Sequence, residues 1–260
     1  MSRRDPLVSV VTASFEALDG LRTTVESVRT QTCRDVEHIV IDGGSRDGTR
    51  QWLEKQDDLA WLSEPDDGIA DALNKGVAMA RGRYLLVLQA EDAFLNETSL
   101  AMAVSHLTGY ADIVSFDVIF ERDAGPIRFR SSGWTKKTNF KMTTPHQGAF
   151  CHRRLFERIG SFDPTICVAM DYDFFLRAHR AGARVETVAE VLARMPDTGI
   201  SSQRDWPSLS KRFAEERRIH RAHCAGSALR MIYVVYWPLY LAYRWVKYRL
   251  ENIRSGADRA

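Results

Sequence analysis

An α/β fold with a mostly parallel central sheet, covered by helices on both faces, is what the sequence predicts. Three observations carry that prediction. Short apolar runs of strand length recur between Leu7 and Phe120, segments of helical periodicity alternate with them, and polar, glycine-rich turns close several of them. Four strand signals separated by helices imply right-handed crossovers between neighbouring parallel strands. A chain of 260 residues is long enough for one such domain with an appendage.

The elements follow in order. Leu7 to Thr12 is a β-branched apolar run and reads as a buried strand. Leu21, Val25 and Val28 recur at helical spacing after it, with Asp19 as a possible cap. Val36 to Ile41 is a second strand, stopped by the turn-rich "DGGSRDGT". A short helix over Thr49 to Lys55 and a third strand at Leu59 to Leu62 come next. Ala70 to Ala80 places Leu73, Val77 and Ala80 on one helical face, and Tyr84 to Leu88 is the fourth strand. Ile113 to Phe120 reads as another strand, Ala124 to Lys141 as a hairpin or loop, and His146 to Pro164 as a segment turning around glycines. Phe174, Phe175 and Ala178 mark a helix stopped by Gly182. A strand at Val185 to Leu192 and a basic helix over Leu209 to His223 complete the series. The expected organisation is one domain over residues 1–202 and a basic helical tail over 203–260.

A content of 45% hydrophobic and 27% charged residues excludes global disorder. The net charge of +2 is uneven: from Gln203 onward 12 Lys and Arg face 5 Asp and Glu, so the tail carries +7 and the body −5. A basic tail suits an anionic surface. Cys33, Cys151, Cys167 and Cys224 lie far apart with no C-x-x-C pair, which argues against zinc and against a disulfide framework. The basic start has only a short, interrupted apolar run, so a reducing cytosol is the expected compartment.

In open parallel sheets, ligands gather at the carboxyl ends of the strands. Two polar motifs fall there, "DGGSRDGT" and Gln89-Ala90-Glu91-Asp92. Adjacent carboxylates at the tip of a buried strand suit a hard divalent cation, which takes one or two carboxylates together with substrate phosphates. Asp92 equally suits a cap for a helix starting near Asn96. Asp42 closes the second strand beside glycines that let backbone approach a ligand. Asp66, Asp71 and Lys75 also fit a charged helix face, and Asp171 and Asp173 fit helix-start acids.

Taken together and in order, these stretches resemble the inverting glycosyltransferases of glycosyltransferase family 2. The resemblance rests on "VSVVTASFEALDGLRTTVESVRTQT", "HIVIDGGSRDGT", "SEPDDGIADALNKGVAMARGRYLLVLQAED", "HQGAFCHRRLFERIGSFDP" and "MDYDFFLRAHRAG", covering roughly Leu7 to Ser202. It is nearest to the branch that builds bacterial polysaccharides. The resemblance implies a GT-A type nucleotide-binding fold, a nucleoside-diphosphate sugar as donor and Mn2+ or Mg2+ as cofactor. It implies that Ala13 to Phe15 (Ala13 and Phe15 above all) and Asp42 line the nucleotide, and that Asp66, Asp71 and Lys75 border the donor pocket. Asp92 would ligate the metal, and Glu91 would face the metal or the donor ribose. Asp171 would be the catalytic base, with Asp173 as runner-up on the acceptor side beside His146 and Gln147. The chain departs from the family in carrying Gln89 and Glu91 where Asn and Asp are usual, and Asp67 where the branch often has Lys.

An inverting transfer needs one carboxylate to deprotonate the acceptor hydroxyl and leaves a nucleoside diphosphate. A glycoside hydrolase would want an acid and a base set apart, which the motifs do not provide. A nucleotidyltransferase would want a basic, glycine-rich loop after the first strand, where "TASFEALDG" stands. A non-catalytic glycosyltransferase-like subunit is the main competing reading. In the tail, Met231 to Tyr243 is an unbroken run of 13 apolar or aromatic residues flanked by Arg230, Arg244, Lys247 and Arg249. It is short for a span but suited to the interface layer. The expected partners are the nucleotide sugar, a glycan or polyprenyl-linked glycan acceptor and a membrane surface. Nucleic acid is excluded because basic and aromatic residues do not interleave. The expected place is the cytoplasm, peripherally on the inner membrane; a helix packed on the domain or on a second subunit is the other reading of the tail.

Overall fold

The computed structural model describes residues 5–122, 124–199 and 202–257, the last with side chains as far as Asn252. The chain divides into two compact units, Met1–Asp197 and Thr198–Ala260.

The first unit is built on one nine-stranded sheet of order β3-β2-β1-β4-β8-β6-β9-β5, with β7 pairing on β6. Strands β1 (Val8–Ser14), β2 (Val36–Asp42), β3 (Ala60–Ser63) and β4 (Tyr84–Val87) run parallel. Every residue of β1 is buried, as a strand covered on both faces requires, and that is why it reads as a continuous apolar run. Helices α1 (Leu18–Arg29), α2 (Thr49–Leu53) and α3 (Ile69–Met79) make the crossovers. Close approach of α3 to the sheet depends on Gly76, where an added Cβ would run into the Val11 side chain. The chain travels from β1 outward through β2 to β3, then returns to pair β4 on the other flank of β1. The strand order therefore reverses at the β1–β4 boundary, which is where a crevice opens in sheets of this kind.

Beyond β4 the sheet is mixed. Strand β8 (Ala149–His152) lies antiparallel between β4 and β6 (Ile113–Glu121), and β9 (Val185–Pro196) runs parallel to β6. The two-residue β5 (Ala93–Phe94) pairs antiparallel with β9, and β7 (Ile127–Phe129) forms a hairpin with β6. The core beneath joins Val10, Leu86, Phe116 and Phe150 across β1, β4, β6 and β8.

Several local expectations are corrected. Asp19 does not cap α1; it is solvated beside Arg22, and the Leu18 N–H instead donates to Asp47 Oδ2 from the β2–α2 loop at 2.9 Å. The helix expected near Asn96 is α4, which spans Ser99–Val104, with Asn96 Oδ1 accepting from Thr98 N at 3.0 Å. The segment His146 to Pro164 holds a 3-10 turn (His146–Gly148), β8 and helix α5 (Arg153–Ile159), where only turns were expected. Helix α6 (Met170–Arg180) is flanked by Ala169, so neither Asp171 nor Asp173 is its cap residue.

The second unit is a helical hairpin of α7 (Trp206–Ala222) and α8 (Ser227–Ala257). Asp205 caps α7 by accepting from Ser208 N at 3.0 Å. Ring pairs His220–Tyr233, Phe213–Tyr240 and Trp206–Tyr248 advance in opposite directions along the two helices, which makes the hairpin antiparallel. Helix α8 continues through Pro238. Met231, Val235, Leu239, Tyr243, Val246 and Leu250, three or four residues apart, form an exposed apolar stripe along it. Among the described residues, no helix is long and apolar enough to cross a membrane.

Candidate active site

Backbone strain marks the switch point. Among the described residues only two outside glycine have positive φ: Glu16 at 50° and Glu91 at 81°. Glu16 follows β1 and Glu91 follows β4, the two neighbouring strands where the order reverses. A side chain with a Cβ disfavours this conformation, and such residues concentrate at functional sites. Both are held. Glu16 N donates to Ser45 Oγ at 2.8 Å and its carboxylate accepts from Arg46 N at 2.9 Å. Glu91 N donates to the Gly20 carbonyl at 3.1 Å. Gly20 also leaves room for the Glu91 side chain, since a Cβ there would collide with Glu91 Cγ.

From β1 come Ala13, nearly buried, and Phe15, 64% exposed at the strand end. Phe15 and Asp66 are neighbours across Gly43, whose absent Cβ would lie 3.2 Å from the Phe15 ring and 2.6 Å from Asp66 Oδ2. Ser14 Oγ is buried with no hydrogen-bond partner. Asp42, expected to line the nucleotide, is fully buried, and its carboxylate accepts from Ser45 N at 3.2 Å, from Ser45 Oγ and from Ser63 Oγ at 2.7 Å. It braces the turn after β2. Asp66 accepts from Gly68 N at 2.9 Å. Lys75 bridges Glu64 at 2.9 Å and Asp71 at 3.2 Å, and also donates to the Pro65 carbonyl. The hydrogen bond that Lys75 donates to Glu64 is the main cause of its raised pKa, and the amine stays charged.

Residues 89–92 form a closed turn. Gln89 N donates to Asp92 Oδ2 at 2.9 Å, Asp92 N donates to the Gln89 carbonyl at 3.0 Å, and Thr24 Oγ1 donates to that same carbonyl at 3.0 Å. Asp92 is thereby buried, only 4% exposed, while Glu91 faces solvent. Burial pushes the Asp92 carboxyl up to about 6, against the opposing pull of His146 and of hydrogen bonds from Gln89 and Gln147.

The second half of the chain closes the site. His146 Nδ1 lies 2.9 Å from Asp171 Oδ2. Burial disfavours the imidazolium, but the hydrogen bond and charge of Asp171, with the charge of Asp92, outweigh it and raise the His146 pKa. His146 thus feels the charge of both Asp171 and Asp92, and Gln147 hydrogen-bonds Asp92 from the next position. His146 Nε2 and Thr144 Oγ1 are buried without partners. Asp173 is directed elsewhere: its buried carboxylate accepts from Arg177 Nε at 2.8 Å, and Arg177 in turn donates to the carbonyls of Ile159 and Ser161.

The site fits a divalent cation. Asp92 is a buried carboxylate whose pKa burial raises, so that a cation beside it would favour the ionised form, and Glu91 adjoins it. Among the described residues no group of three or more His, Cys, Asp or Glu forms a closed cage. Such a donor set suits an ion that completes its shell with substrate phosphates. Sequence reasoning put His146 and Gln147 on the acceptor side with Asp173 and the base Asp171, and Asp92 with the metal; what it did not give is the contact of His146 with Asp171 and of Gln147 with Asp92. It also passed over Asn74, which bonds both the carbonyl and N–H of Phe162 and so ties α3 to the segment before α6.

A family model described as glycosyl transferase family 2 matches residues 9–162. An uncharacterized glycosyltransferase of Mycobacterium tuberculosis (strain CDC 1551 / Oshkosh) is 39% identical over 228 residues, which cover 84% of each chain. TuaG of Bacillus subtilis (strain 168), named for teichuronic acid biosynthesis, is 29% identical over 244 residues, 86% of this chain and 92% of that one. Among solved structures, the mannosyltransferase PcManGT from Pyrobaculum calidifontis, in complex with GDP-Man and Mn2+, superposes with a TM-score of 0.61. It is 22% identical, with 92% of this chain and 81% of that chain covered, a likeness of fold.

Proposed function

The chain belongs to glycosyl transferase family 2 and is a glycosyltransferase of GT-A fold, and from that premise we propose an inverting transfer from a nucleoside-diphosphate sugar to a hydroxyl of a glycan. The observation that carries this reading is the pairing of Asp171 with His146 at 2.9 Å, with the buried carboxylate of Asp92 near enough to act on the same imidazole: a candidate base, the imidazole that orients it and a carboxylate suited to metal. Asp171, about a quarter exposed, accepts the proton of the acceptor hydroxyl as it attacks the anomeric carbon from the face opposite the nucleotide. His146 holds that carboxylate in place. Asp173 accepts from Arg177, which supports Asp171 as the base. Phe15 offers an exposed ring to the nucleotide base or ribose, and Asp66, Asp71 and Lys75 edge the donor pocket. Asp92 with Glu91 would hold Mn2+ or Mg2+. When bound, such an ion neutralises charge on the departing diphosphate. That PcManGT binds GDP-Man and Mn2+ supports a nucleotide sugar and a metal for this chain, and the likeness to TuaG supports a cell-surface polysaccharide as product.

The test is a donor panel with Mn2+ or Mg2+, following nucleoside diphosphate release with membrane extract as acceptor. Release from one donor, abolished by a chelator, is expected. No release from any donor would instead favour a non-catalytic nucleotide-binding role.

The tail is proposed to lie on the membrane surface, with the acceptor carried on a lipid. Its support is the exposed apolar stripe of α8 flanked by basic residues. Deleting residues 230–260 is expected to move the protein from the membrane fraction to the supernatant. Equal fractionation of the truncated and full-length proteins would reject the idea.

A further inference from the structure

A cavity of about 480 Å³ opens within the helical hairpin, lined by Arg217 and Arg221 of α7 and by Arg230, Tyr233, Val234 and Trp237 of α8. Three guanidinium groups face it, and no carboxylate lines it. None of the three arginines forms an ion pair among the described residues. Arg217 and Arg221 stand one helical turn apart, so their like charges repel unless an anion sits between them. A second, independent feature points the same way. Trp237 is only 2% exposed, and its indole Nε1–H has no hydrogen-bond partner. A buried donor left unpaired is costly, and a bound acceptor would satisfy it.

The chemistry selects the ligand. Planar, five-donor guanidinium groups match phosphate oxygens, and an indole N–H adds one more donor. The rim of the cavity is basic, and apolar surface lies beside it. Val234 lines it and is exposed, and Met231, Ile232 and Val235 continue the exposed surface beside it. A free phosphate has no use for that neighbouring hydrocarbon surface, whereas a phosphate carried on acyl chains does.

We propose that this cavity takes the phosphate headgroup of an anionic lipid, with the acyl chains lying along the exposed apolar side of α8. The proposal deepens the surface-bound reading of the tail and is independent of the catalytic residues. It turns a nonspecific amphipathic contact into a headgroup site.

The test uses the full chain and sedimentation with vesicles of phosphatidylcholine alone or with added phosphatidylglycerol. The triple variant Arg217→Gln, Arg221→Gln, Arg230→Gln is expected to lose at least about tenfold more partition onto phosphatidylglycerol vesicles than the nonspecific loss of three surface charges, because charge-assisted hydrogen bonds to the headgroup go with it. A charge-matched control, Lys211→Gln, Lys247→Gln, Arg249→Gln, removes three basic groups outside the cavity and is expected to lose far less. Trp237→Phe keeps the ring, removes the donor and is expected to bind more weakly than wild type. Equal losses in the two triple variants would reduce the effect to general charge and overturn the site. Undiminished binding by the cavity triple would overturn it outright. In a parallel arm, inorganic phosphate that raises the wild-type melting temperature while phosphatidylglycerol vesicles capture no protein would assign the cavity to a soluble anion. Nucleoside diphosphate release by the cavity triple, with a soluble acceptor, is expected to match wild type. Failure of the lipid site therefore stays distinct from failure of the transferase reading.

Discussion

Asp171→Asn is expected to lower sugar transfer by a factor on the order of 10³ while leaving nucleotide binding nearly unchanged. The amide keeps the shape of the carboxylate and remains acceptable in the first turn of α6, so the fold should survive. What disappears is a group able to accept the proton of the acceptor hydroxyl. The loss should fall on kcat, with the KM for the donor little altered, because Asp171 lies apart from the strands that carry the nucleotide side of the site. His146 allows a sharper reading. Its Nδ1 is 2.9 Å from Asp171 Oδ2, close enough to orient that carboxylate. Steady-state kinetics and nucleotide titration of the Asn variant check the prediction; transfer within tenfold of wild type would remove Asp171 from the role of base.

The parallel half of the fold was legible because its strands are buried on both faces and its helices are not. β1, β2 and β4 announce themselves as apolar runs, and the turns after them as glycine and acid. The inserted antiparallel strand β8 was not legible. It has four residues, Ala149–His152, begins right after a glycine and owes its conformation to pairing with β4 and β6, not to its own pattern. β5 is two residues long and exists only by pairing with β9. The site behaved likewise. Chemistry-bearing residues could be picked out at strand ends and helix starts, but their partners depend on tertiary contacts. His146 and Asp171 are 25 positions apart. Asp42 and Asp173 likewise gave no sign in the sequence of their partners, Ser45 and Ser63 for one and Arg177 for the other. Positive φ at Glu16 and Glu91 leaves no trace in composition at all.

Asp92→Asn is expected to separate the catalytic use of a buried charge from its cost to the fold. In the folded protein the Asp92 carboxyl titrates near 6, above its ordinary value of 3.8, because burial penalises the ionised form. A pKa raised by folding means that the ionised carboxylate opposes folding. That penalty is absent below 3.8, grows as pH rises through about 6, and amounts at most to about 3 kcal/mol above it. With metal chelated, the Asn variant should therefore melt higher than wild type at pH 8, and the gap should close toward pH 4. The amide can still accept from Gln89 N, so the turn is kept. Activity should move in the opposite direction, falling roughly 10³-fold, since the neutral amide no longer balances a divalent cation at the diphosphate. Mn2+ together with nucleoside diphosphate should stabilise the wild type and leave the variant almost unmoved. Thermal melts across pH, with and without metal, read both effects. A variant that still gains stability from Mn2+ and nucleotide would show that Asp92 is not the metal's principal ligand. Equal melting of the two proteins at pH 8 would show that the burial of Asp92 is relieved by something other than metal.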